Sequence, residues 1–194
     1  MKMNLLFTAG LLAAAVAPPA AALDSIYTAQ LNGPSEFPTN SSPGTGSAII
    51  TINLDQHTMR VQESFSGLTA NTTAAHIHCC TAAPDTAGVA TTIPTFPEFP
   101  LNVTEGSYDH TFDMTLASSY NMAFIVTNGG TVSGAFDALV AGLDHGTAYS
   151  NIHTSAFPGG EIRGFLAPVP EPEAYAMLMA GLAAISLVAR RRRG

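Results

Sequence analysis

Basic side chains are nearly missing from the body of this 194-residue chain. Between Leu23 and Val169 only Arg60 and Arg163 stand against twelve Asp and Glu, a formal charge of −10. Such a surface repels phosphate backbones, which excludes nucleic acid as a partner, and it has little attraction for anionic lipid. Cysteine is scarce too: Cys79 and Cys80, adjacent in the chain, are the whole supply. No serine sits in a Gly-x-Ser-x-Gly elbow, and no serine, histidine and carboxylate are spaced so as to single themselves out. Glu63, Asp109, Asp113 and Glu161 are available for acid–base work, but nothing in their spacing selects a pair. The chain lacks the marks of an enzyme.

What is present begins at the two ends. Lys2, an apolar run from Leu5 to Ala17, and Ala20-Ala21-Ala22 make residues 1–22 a secretory signal peptide, cleaved near Ala22. At the other end Pro170-Glu171-Pro172 leads into an apolar run from Ala174 to Ala189 and then Arg190-Arg191-Arg192-Arg193. The run is just short of the ~17–25 residues of a spanning helix, and the arginines hold its end in the cytoplasm. Both signal segments are expected to be helical. Residues 168–194 resemble the PEP-CTERM sorting signal of bacterial exported proteins. The resemblance implies secretion machinery and an exosortase as partners, with Pro170, Glu171 and Pro172 as the recognised motif. It also implies transient anchoring in the inner membrane, then a periplasmic, cell-surface or extracellular location, among envelope or exopolysaccharide components.

Between these ends, residues 23–167 read as one domain. Strand-like runs span Ser25 to Leu31, Gly46 to Leu54, Thr58 to Ser66, Ala74 to Cys79, Val89 to Ile93 and Ser107 to Met114. A hairpin closes the domain, with Ala148 to Thr154 and Glu161 to Leu166 flanking a Phe157-Pro158-Gly159-Gly160 turn. Met59, Val61, Glu63 and Phe65 share a face, so Glu63 is an acid on an otherwise apolar, buried side. Short helices are expected around 117–143, one ending at Asn128-Gly129-Gly130 and one capped by Thr131 or Ser133. The predicted fold is mainly β, an antiparallel Greek-key sandwich or barrel. Phe96 and Phe99 sit on a Pro-rich loop, either as a lid over the core or as an exposed binding surface.

One stretch has metal-ligand spacing. His76 and His78, two apart in a strand, project from one surface, and His153 joins them if the closing hairpin lies alongside. Neutral imidazoles in such a group suit Cu or Zn. The competing reading is a structural polar cluster in which the rings bond to backbone and to Asn151 or Glu161. Glu161 and Arg163 share a face of the return strand, free to pair with each other or across the hairpin. For Cys79 and Cys80 three readings stand: a disulfide between neighbours, paired thiolate ligands beside the histidines, or a bridge to another chain. A trans peptide puts neighbouring Cα atoms ~3.8 Å apart, below the ~4.4–6.8 Å usual for a bridge, so the first requires strain.

Several blocks together resemble the CHRD domain. They are Tyr27-Thr28-Ala29-Gln30-Leu31-Asn32-Gly33, Gly44-Thr45-Gly46-Ser47-Ala48, Gly67-Leu68-Thr69, Ala75-His76-Ile77-His78, Tyr149-Ser150-Asn151-Ile152-His153-Thr154 and Pro158-Gly159-Gly160-Glu161-Ile162-Arg163-Gly164. That resemblance implies a β-sandwich-like domain with no catalytic residues to carry over. Gly67-Leu68-Thr69 followed by His76-x-His78 is also similar, locally, to the copper-ligand strand of Cu/Zn superoxide dismutases, whose further motifs are absent. The expected function is that of a non-catalytic exported domain acting by binding or as a structural component. The alternative is a Cu- or Zn-binding or redox protein built on His76, His78 and His153, with dismutase-like activity the weaker version.

Overall fold

The computed structural model describes residues 24–170 and the isolated positions 179, 181, 182, 185 and 190. The expected signal peptide, Glu171 and Pro172 of the sorting motif, and most of the apolar run lie outside the described residues. Among the described residues no helix is long and apolar enough to cross a membrane.

Eight strands and two helices follow in the order β1 Ser25–Asn32, β2 Thr45–Asn53, β3 Thr58–Ser66, β4 Thr72–Cys79, β5 Gly106–Asp113, α1 Met122–Thr127, α2 Val132–Asp144, β6 Ala148–Thr154, β7 Ile162–Phe165 and β8 Ala167–Pro168. They form one antiparallel sheet in the spatial order β4-β6-β7-β1-β2-β3-β5, with β8 added against β1. The first three strands make a meander, and β4 then crosses to the β1 side, with β7 and β6 inserted between. The alternation seen in the sequence sets the register. Tyr27 pairs with Ile50, and Ile50 with Val61, so apolar side chains from three strands line one inner face.

The sheet curls into a half-barrel, and one inner contact makes the curl visible. The Ser150 hydroxyl on β6 bonds to the Glu63 carboxyl on β3, although three strands separate them in the sheet. Small residues make room for this contact, since Ala48 and Gly46 face Glu63 and Phe65 across β2 and β3. The open side is filled by a loop. Phe96 and Phe99 are buried there against Phe65, Tyr108 and Phe112, so the Pro-rich segment is a lid rather than an exposed platform.

The helices form where their caps placed them. Asn121 Oδ1 accepts from Ala123 N, and Thr131 Oγ1 accepts from Gly134 N. Helix α2 buries Ala135, Phe136, Leu139 and Leu143 over one end of the sheet. The Tyr27 hydroxyl donates to Asp144 at 2.6 Å and ties that end to β1. The expected strand at Val89 to Ile93 does not form. That segment makes only isolated bridges, Val89 with His78 and Thr91 with Tyr120, because it leaves β4 to pass into the lid.

Burial of Glu63 raises its carboxyl to about 7, because desolvation disfavours the charge and the Ser150 bond recovers only part of it. The folded state therefore holds a proton that the unfolded chain releases near 4.5. Stability from this group is full below about 4.5 and is lost as pH rises through about 7. Urea unfolding should show Glu63→Gln close to the parent at pH 4.5. At pH 8 the variant should be more stable, by on the order of 3 kcal/mol at most. A gap that does not change with pH would mean that Glu63 is not protonated in the fold.

Candidate metal centre

On the outer face of β4 and β6 the register sets His76 opposite Asn151 and His78 opposite Tyr149, with His153 diagonal to His76. This face is not solvent. The 81–98 segment covers it, leaving His76 and His78 only 6% and 8% exposed and His153 half-buried. The three rings pack with centroids 5.2 to 5.9 Å apart.

Backbone carbonyls fix the proton on each ring. His76 Nε2 donates to Pro94 O at 2.7 Å, His78 Nδ1 to Ala87 O at 2.9 Å, and His153 Nδ1 to Pro158 O at 3.0 Å. A carbonyl can only accept, so in the neutral form of each ring the remaining nitrogen carries the lone pair. These nitrogens are His76 Nδ1, His78 Nε2 and His153 Nε2. One ring nitrogen from each of the three histidines lies within 4.8 Å of the others. His76 Nδ1 and His153 Nε2 approach to 3.3 Å with no proton to share, and His78 Nε2 is buried without a partner. Burial, reinforced for His76 by the His153 ring, pushes His76 and His78 down to about 4, and burial lowers His153 as well. Burial thus favours the neutral form of all three imidazoles. Metal-ligating histidines are commonly held in this way, the nitrogen away from the metal donating to a backbone carbonyl.

The family model of the CHRD domain matches residues 27–166. The chain belongs to the CHRD domain family. The PEP-CTERM protein-sorting motif matches residues 168–193, so the CHRD domain is carried by an exported protein that an exosortase sorts, with a C-terminal membrane anchor before processing. No curated protein and no solved structure matches the chain.

The cysteines of the CHRD domain stand apart from the histidine group. Cys79 and Cys80 form a disulfide with each other across a cis peptide, their Cα atoms 3.0 Å apart. Their sulfurs lie 4.0 and 3.6 Å from the Ala138 carbonyl on α2. A Cβ at Gly142 would come within 2.3 Å of Cys79 Sγ, so a glycine is needed there. Neither thiol is free to join His76, His78 and His153.

Asn151, Glu161 and Arg163 separate as well. Glu161 takes the cross-hairpin option, accepting from Thr154 Oγ1, Ser42 Oγ and Thr69 N at 2.5 to 2.6 Å. These donors hold its carboxyl below the usual range despite burial. Arg163, fully buried on the same outer face as the histidines, pairs with Glu36 at 3.7 Å and donates to the carbonyls of Ser35, Pro84 and Asp85. Its guanidinium lies 4.8 Å from the Tyr149 ring, which stacks on His78 at 4.8 Å. Asn151 packs beside Gly160, where any Cβ would strike its amide. Sequence reading missed Glu36 and the carbonyls of Ala87, Pro94 and Pro158.

Removing the Glu161 acceptor strands the buried Thr154 hydroxyl and frees two more accessible donors, Ser42 Oγ and Thr69 N, so Glu161→Ala should cost about 2 kcal/mol in urea unfolding at pH 7. Because its folded pKa is depressed, its contribution is present above the unfolded value and is lost as pH falls through the folded one. The difference between variant and parent should therefore shrink below pH 4. A constant difference would assign the loss to packing alone.

Proposed function

We propose that this exported CHRD domain binds a single Cu or Zn ion through His76 Nδ1, His78 Nε2 and His153 Nε2, and acts as a non-catalytic metal-binding component of the cell envelope or its surroundings. One observation carries the reading: three mostly buried imidazoles bring a nitrogen each within 4.8 Å of one another, and one nitrogen of each ring is already committed to a backbone carbonyl. A purely structural cluster would place hydrogen bonds between the rings. Here lone pair meets lone pair, an arrangement that a cation relieves. A metal ~2.0–2.1 Å from each nitrogen sets them about 3.3–3.5 Å apart. His76 and His153 already have that spacing, at 3.3 Å. The sequence alone favoured the structural cluster; the orientation of the rings favours the metal.

Protein purified from the periplasm should carry or take up one equivalent of metal, which the paired His76→Ala/His78→Ala change abolishes. Metal at a hundredfold excess over Kd should add about 2.7 kcal/mol of stability to the parent and none to the variant. A parent that neither holds nor responds to metal would leave the cluster as a structural device.

The sorting step has a separate check. Replacing Pro170, Glu171 and Pro172 with alanines should stop removal of the tail, followed by mass, and leave the protein in the inner-membrane fraction. Unaltered processing would show that another element is recognised.

A further inference from the structure

The ligand set favours one oxidation state. No carboxylate or thiol among the described residues joins the three histidines, so the site supplies three neutral donors and no negative charge. The nearest strong charge along the stack is positive, running from Arg163 over Tyr149 to His78. Glu36, the carboxyl beside that guanidinium, reaches Arg163 and is not part of the histidine group. A divalent ion here would put two positive charges into a nearly closed, neutral pocket beside a third. Cu(II) also prefers tetragonal surroundings, and Zn(II) a tetrahedral fourth ligand. The described residues add no fourth donor to the group, and the 81–98 segment covers its His76 and His78 side, His153 keeping partial exposure. A monovalent d10 ion is content with three nitrogens and carries the least charge.

We infer that the three-histidine group holds copper as three-coordinate Cu(I), in preference to Cu(II) or Zn(II); this rests on the metal-binding reading above. His78, whose free nitrogen is buried and unpartnered, is the ligand that completes the set once His76 and His153 have engaged.

The test uses the exported protein, stripped of metal and titrated anaerobically with Cu(I) against bicinchoninate, then with Cu(II) and Zn(II) against chelators of matched strength. Cu(I) is expected to bind in one equivalent at least tenfold more tightly than Cu(II), which places the copper couple about 59 mV or more above the aqueous one. An equimolar amount of Cu(I) should displace Zn(II), and the X-ray absorption edge should show three nitrogen ligands. Tighter Cu(II), retained Zn(II) or four-coordinate copper overturns the Cu(I) assignment while leaving a metal site in place. Failure of all three ions to bind overturns the metal-binding reading with it.

Discussion

A guanidinium shut away from water must be given acceptors, and much of this domain is arranged around that demand. Arg163 has no exposed surface, and its donors are met by carbonyls from two separate loops, Ser35 on one side and Pro84 and Asp85 on the other. Leaving such a charge uncompensated costs several kcal/mol, so both loops are held down on the outer face of β6 and β7. The second loop is the one that goes on to supply Ala87 and Pro94, whose carbonyls set the proton on His78 and His76. The charge that pins the cover thus also orients the imidazoles beneath it, through a continuous stretch of backbone.

The opposite face is closed by carboxyl groups, and the two involved differ in what surrounds them. Glu161 meets two hydroxyls and a backbone N–H, so its anion is solvated by the protein and joins the 42 and 69 loops to the hairpin. Glu63 meets one hydroxyl and leaves Oε2 without a partner. The same residue type on the same curled sheet is therefore charged in one place and drawn toward its neutral form in the other. The contact with Ser150 helps fix the curvature that separates an apolar interior from the polar outer face.

Much of this was legible in the chain because side-chain pattern carries it. Period-two alternation located β1, β2, β3, β5 and the closing hairpin, and Thr131 and the glycines after Asn128 marked helix boundaries, while the Asn121 cap was not read. His-x-His and the hairpin histidine were legible for the same reason, since strand pairing turns spacing into proximity. What escaped is what the backbone contributes. The carbonyls of Ala87, Pro94 and Pro158 carry no residue signature, yet they decide which nitrogen of each ring is free. Val89 to Ile93 has strand-like composition and runs beside the open edge of β4, but its pairing is limited to single bridges. Glu36 sits 127 positions from Arg163 with only a short helical turn to place it.

The cysteines bear on the metal question by being consumed. A thiolate beside two imidazoles would dominate a soft-metal site and add negative charge to it. In an exported protein, oxidation is the expected fate of paired cysteines, and Cys79 and Cys80 close on each other against α2. Formation of that bond takes the sulfurs out of competition for the ion. Under the metal-binding proposal the histidines would then be left as the donors, because the bond between two residues adjacent in sequence leaves neither sulfur available.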